Sequence, residues 1–277
     1  MPCTVHTDIY YTDQSDIDQS FDLYRTNQCS NKLLLFIHGG LWKDNDKSLY
    51  SDLGHTLSDE PYNYNVCIIN YRVTRNHSIQ WPLFQYDIIH CINYIQHNQS
   101  KLDIVYNNNV YIAGHSCGAT MALLLSTTQQ YVPSNITLEQ YNQLLSHISG
   151  IIGIQGIYDY KQYCIDYPTW TTAITDPLST NQSIWPQPLT DTIQLHTKQQ
   201  LLYTSNANIL LIHSKHDSYV PVSQAQLMYD ALHRLIGDRV QLCTDVLGDH
   251  YDAVNALGNS NSPITHAVHK FIQSTSE

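Results

Sequence analysis

Short apolar runs recur along the chain between longer, amphipathic stretches. Lys32 to Ile37 reads KLLLFI, Val66 to Ile69 reads VCII, and Val110 to Ala113 reads VYIA. Ile151 to Ile154 (IIGI), Ile209 to Ile212 (ILLI) and a looser run from Val240 to Leu247 follow. Runs that are apolar at every position suit strands covered by helices on both faces. The intervening stretches carry helical spacing: Leu83, Ile88, Ile92 and Ile95 after Pro82, and Ala119 to Leu125 after Gly118. Ala225, Leu227, Met228, Ala231, Leu232 and Leu235 mark another helix that ends near Gly237, and Pro263 opens a last one through Phe271. Strand and helix in alternation predict an α/β fold, a mostly parallel sheet flanked by helices, in one domain over residues 1–277. Residues 158–206 break the rhythm. They are rich in Tyr, Trp, Pro and Thr, which predicts a small cap inserted over one end of the sheet. The first thirty residues show no clear pattern, and no internal repeat is present.

Composition narrows the function classes. A chain of 277 residues can bury a large core without disulfide or metal staples. Its formal charge of −11 opposes binding to phosphate backbones and to anionic lipid, so neither nucleic acid nor membrane is an expected partner. There is no run of about 18 apolar residues. Met1 to Asp16 is polar and lacks the apolar core of a secretory signal. The seven Cys are odd in number and form no CxxC pair, so reduced thiols and a cytoplasmic location are expected.

The candidate chemistry lies at the ends of the apolar runs. Gly114-His115-Ser116-Cys117-Gly118 fits G-x-S-x-G between a predicted strand and a predicted helix. A serine on that sharp turn stands clear of the sheet as a nucleophile, and small neighbours make the turn possible. Serine needs a base, and the base needs an orienting acid; in this architecture the chain order is Ser, acid, His. Asp217 follows the ILLI run and His250 follows the next, so these are the expected acid and base. Fifteen His weaken any single assignment. His213, His216, His266 and His269 compete as base, and Asp159, Asp245, Asp249 and Asp252 as acid.

His38-Gly39-Gly40-Leu41-Trp42 follows the KLLLFI run. Glycine lets backbone N–H groups approach a substrate closely, so Gly40 and Leu41 are expected to join Cys117 in an oxyanion hole. His38 is expected to support this loop, and Trp42 to be either a pocket wall or core. Cys117 is expected to turn its thiol away. His213, His216 and Asp217, or Asp249, His250 and Asp252, show no standard metal-ligand spacing, so no metal site is expected. No Walker loop and no GxGxxG is present, so no nucleotide cofactor is indicated.

HGGxW, GHSxGA, an acid in an HSxxD loop and a late His together resemble the fungal-type kynurenine formamidases (arylformamidases) of the α/β-hydrolase superfamily. Asn70-Tyr71-Arg72, the Pro82 to Asp87 segment, and Gly156-Ile157-Tyr158-Asp159 with Tyr167-Pro168 extend the resemblance. It implies hydrolysis of N-formyl-L-kynurenine to L-kynurenine and formate in tryptophan catabolism, by a triad of Ser116, Asp217 and His250. It also implies no cofactor and a homodimer. An aromatic leaving group suits an aromatic cap, so Trp42, Tyr158, Tyr167, Trp170 and Tyr219 are candidate substrate contacts. A general carboxylesterase on short-acyl esters would use the same triad. A non-catalytic ligand-binding protein on this fold is the remaining alternative.

Overall fold

Five of the six predicted apolar runs are strands with both faces covered; the sixth, from Val240, is a partly exposed edge strand. In β3 (Leu33–Ile37), Leu33, Leu35 and Ile37 enter one core while Leu34 and Phe36 enter the other. β4 (Asn65–Ile69) divides the same way: Cys67 and Ile69 on one side, Val66 and Ile68 on the other. The first core lies under helices Leu83–His97, Cys117–Thr127, Leu138–Ser146 and Ser223–Ile236. The second lies under Ser51–Ser58, His250–Asn255 and Pro263–Ser274.

The computed structural model describes residues 2–75, 78–178, 206–246 and 248–276. The remaining strands are β1 (Thr4–Tyr10), β2 (Ser20–Arg25), β5 (Val110–His115), β6 (Ile148–Ile154), β7 (Asn208–Ile212) and β8 (Val240–Cys243). One sheet runs in the order β1-β2-β4-β3-β5-β6-β7-β8. β4 through β8 in that order are parallel, and β1 and β2 add an antiparallel edge. The mostly parallel sheet with helices on both faces agrees with the α/β-hydrolase expectation.

The antiparallel edge corrects the expectation for the first thirty residues. β1 is largely exposed, so its side chains carry no apolar signal. β2 is buried but hides a charge: Asp22 meets the buried Lys47, whose Nζ lies 2.6 Å from Asp8 and 3.0 Å from Asp22. β8 stops at Cys243, short of the expected Leu247, which lies outside the described residues. Of the segment expected to form a cap, helix Tyr160–Asp166, the turn Pro168–Trp170 and helix Thr171–Leu178 are described; 179–205 lie outside.

The Arg72 and Asp87 segments meet. Asp87, fully buried, accepts Arg72 Nε (2.8 Å), Nη2 (2.7 Å) and backbone N–H (3.0 Å), and Gln19 Nε2 (2.8 Å). This cluster ties the turn Ile17–Gln19 before β2, the segment after β4 and the following helix together. Removing one partner of a buried pair leaves the other desolvated and unmatched. Asp87→Ala is therefore expected to cost about 3 kcal/mol of stability, read as a lower urea midpoint with an unchanged slope.

Candidate active site

The turn from β5 into helix Cys117–Thr127 is set by sterics. A Cβ on Gly114 would collide with the carbonyl of Gly118, and one on Gly118 with the carbonyls of Ile37 and His38. Strand, turn and helix can approach this closely only with glycine at both positions. Ser116 caps the helix at φ 55° and ψ −123°, a conformation that side-chain-bearing residues avoid. Its N–H donates to the carbonyl of Ile154 at 2.8 Å. Among the described residues none hydrogen-bonds its hydroxyl, which opens into a pocket.

Asp217 and His250 come together from the loops after β7 and β8. His250 Nδ1 lies 2.8 Å from Asp217 Oδ2. A carboxylate only accepts, so Nδ1 carries the proton and a neutral ring leaves Nε2 bare. Asp217 Oδ1 accepts the N–H groups of Tyr219 (2.9 Å) and Val220 (2.8 Å). His213 Nε2 donates to Val220 O at 2.9 Å and lies 3.4 Å from Asp217 Oδ2. Burial alone would raise the Asp217 pKa; hydrogen bonds from His213 and His250 overcome it and hold the carboxyl well below its ordinary range. Asp249 does other work: it caps helix His250–Asn255 and accepts the Ser218 N–H and hydroxyl, both at 2.8 Å, binding the two loops to each other.

The loop after β3 is strained at three successive residues, with φ of 110° at Gly40, 53° at Leu41 and 58° at Trp42. The N–H groups of Lys43 and Asp44 both close onto the Gly40 carbonyl, at 3.0 and 3.1 Å. Trp42 holds the turn from beneath. It is fully buried, with its ring 6.3 Å from Phe84 and 5.9 Å from Tyr160. His38 donates through Nδ1 to the Gly39 carbonyl at 2.8 Å and stacks on Tyr71 at 4.4 Å. Cys117 is buried, its sulfur 3.7 Å from the Tyr71 hydroxyl, and burial pushes its thiol up to about 11.

Two histidines have supporting roles that the sequence did not assign: His115 had none, and His213 stood only as a rival base or metal ligand. His115, within GHSCG, is fully buried and donates through Nε2 to the His250 carbonyl at 3.0 Å. Burial, helped by the nearby His250, pushes it down to about 3. It is therefore a neutral prop under His250. His213 steadies the acid. Their positions, directly before Ser116 and directly after β7, were the available signal, diluted by the abundance of His.

The pocket measures about 230 Å³. Gly40, Leu41, Ser116 and His250 line one part of it; Ile157, Tyr163, Trp170, Tyr219 and Tyr251 form walls; Lys43, Asp44 and Asn45 also line it. Of the five aromatic candidates, Trp170 and Tyr219 line the pocket. Trp42, Tyr158 and Tyr167 are not among its lining residues; Tyr158 and Tyr167 thus depart from their expected role, and Trp42 takes the core alternative. Trp42 packs in the core, Tyr158 is buried with its ring over Gly153 and Gly156, and Tyr167 stacks on Tyr163 at 5.3 Å. Tyr163 and Tyr251 were missed, although Tyr251 directly follows His250. Among the described residues one group could hold a metal ion, Cys3, His55 and Asp59, and none of the three lines this pocket.

The BD-FAE family model matches residues 21–232, from β2 through the helix after β7. The chain belongs to the BD-FAE family. A kynurenine formamidase from Meyerozyma guilliermondii is 27% identical over 218 residues, 79% of this chain and 78% of that protein. Among solved structures, esterase B from Lactobacillus rhamnosis, inhibited by a tributyrin phosphonate, superposes with a TM-score of 0.74 at 16% identity. That match covers 99% of this chain and 86% of the esterase. A bifunctional GH43-CE chain from Bacteroides eggerthii superposes at 0.75 with 18% identity over 99% of this chain, which spans 38% of that longer one. These likenesses place the fold among the α/β-hydrolases.

The buried imidazoles have a consequence for stability. Burial depresses His38 to about 4 and His115 to about 3, against 6.5 for an exposed ring. Between those values the unfolded chain takes up protons that the folded chain refuses, so stability present above pH 6.5 is lost as pH falls. Urea midpoints at pH 7, 6 and 5 are expected to decline, with a slope approaching about two protons taken up on unfolding. Constant midpoints across that range would contradict the neutral, buried assignment.

Proposed function

We propose that the protein hydrolyses N-formyl-L-kynurenine to L-kynurenine and formate through a Ser116–His250–Asp217 triad. The observation that carries this reading is the His250 Nδ1–Asp217 bond of 2.8 Å, which leaves Nε2 free in the pocket that the strained Ser116 also lines. The formyl group and aromatic amine follow from the likeness to a protein named kynurenine formamidase.

His250 takes the Ser116 proton as Oγ attacks the formyl carbon. Asp217 holds the tautomer and stabilises the imidazolium that forms. The N–H groups of Gly40, Leu41 and Cys117 receive the tetrahedral oxyanion at the start of helix Cys117–Thr127, where the helix dipole adds positive potential. Protonated His250 then gives its proton to the departing aryl amine. Water, deprotonated by the same ring, cleaves the formyl-serine ester and releases formate. Formyl is the smallest acyl group, so the reactive end needs little space, while Trp170 and Tyr219 supply a wall for the aromatic leaving group. No cofactor takes part. Residues 1–277 act as one catalytic domain with the cap at 158–206, in the cytoplasm and as a homodimer. No described helix is long and apolar enough to cross a membrane.

Ser116→Ala is expected to fold normally and to lose about 10⁴- to 10⁶-fold in kcat for N-formylkynurenine, followed by kynurenine absorbance. Full activity in that variant would sink the triad. Comparing kcat/KM on N-formylkynurenine and p-nitrophenyl acetate tests the substrate: the formamide is expected to be preferred, and a preference for the ester would favour a general carboxylesterase. Activity lost on chelation and restored by zinc would point to metal chemistry instead.

A further inference from the structure

The pocket carries two side chains of opposite charge that the hydrolysis does not use. Lys43 and Asp44 are adjacent on the turn whose N–H groups close onto Gly40, one turn from the oxyanion position. The Lys43 ammonium pairs with the Asp176 carboxylate of the cap helix Thr171–Leu178, so a carboxylate is already held at this spot. Asp44 accepts the N–H of Asn45 through Oδ1 at 2.8 Å, and among the described residues no other group hydrogen-bonds its side chain. Both residues are exposed toward the pocket mouth.

Charge at this place has a specific use. The α-amino-acid arm of the proposed substrate is zwitterionic and net neutral, so the formal −11 of the chain does not repel it as a whole, but its carboxylate end still needs a local cation on so acidic a protein. Neighbouring cationic and anionic side chains match a group that bears both signs on one carbon. We propose that Lys43 and Asp44 form a subsite for an α-amino-acid group, with Lys43 on the carboxylate and Asp44 on the ammonium. The arm carried by the aryl formamide then reaches from the aromatic walls to the pocket mouth, and its carboxylate joins or replaces Asp176 on Lys43. This rests on the formamidase reading above and adds to it the residues that select an amino-acid substrate.

Three substrates separate the contributions: N-formyl-L-kynurenine, formanilide, which lacks the arm, and 3-(2-formamidobenzoyl)propanoate, which keeps the carboxylate and lacks the ammonium. The readout is kcat/KM for each arm-bearing substrate divided by that for formanilide. Lys43→Met is expected to lower both ratios about 10- to 100-fold, mainly through KM, because a charge-assisted contact is lost. Lys43→Arg should restore them. Asp44→Asn is expected to lower the ratio for N-formylkynurenine alone. Equal losses on formanilide would show that the two residues act only through the turn, and ratios unchanged by either variant would remove them from recognition; both outcomes overturn the subsite. Wild-type enzyme active on formanilide but indifferent to the arm would sink the subsite and leave the formamidase reading standing. Wild-type enzyme inert on all three would sink both.

Discussion

The close approach of Gly118 to the end of β3 is the contact on which the site depends. It brings the start of helix Cys117–Thr127 onto the carbonyls of Ile37 and His38, the residues that lead into the Gly40 turn. Two strained backbone segments are thereby fixed against each other, Ser116 on one side and Gly40 to Trp42 on the other. Neither conformation is comfortable alone; strain of this kind persists only where the surroundings over-determine it. Here the parallel pairing of β3 with β5 and the packing of Trp42 and Tyr71 provide that determination. The Ser116 turn and the Gly40 turn are thus positioned by the core of the sheet, before any ligand arrives.

Electrostatics then separates two kinds of histidine. His38 and His115 are sealed in and kept uncharged, and their ring nitrogens serve as struts. His250 differs because it faces a carboxylate that is saturated from the other side. Asp217 is held by two backbone N–H groups and a second imidazole, so it stays ionised and fixed in direction. Burial of a carboxylate is costly without such partners. The price is met within one short loop, Ser214 to Val220, which Asp249 fastens to the loop bearing His250.

Much of this was legible in the residues. The interior strands declared themselves because both their faces are buried, which forces apolar side chains at consecutive positions, as in Leu33 to Ile37. The elbow was legible because only glycine fits where Gly114 and Gly118 stand. β1 and β2 were hidden for the opposite reason: an edge strand faces water, and β2 spends a core position on Asp22 to bury Lys47. The aromatic wall was legible only in part. A tyrosine looks the same in sequence whether it packs under a strand, as Tyr158 does, or faces the cavity, as Tyr219 does. That distinction depends on side-chain direction in an irregular segment, where no periodicity reports it.

Cys117 illustrates how neighbours in sequence can be strangers in chemistry. It directly follows Ser116, yet its sulfur lies beneath the turn against Tyr71, without solvent contact and with its proton tightly held. Only a thiolate reacts readily with alkylating agents. The protein can therefore carry a thiol next to Ser116 through swings in redox state without that thiol being modified. Thiol-selective reagents will meet other cysteines first, such as the exposed Cys29.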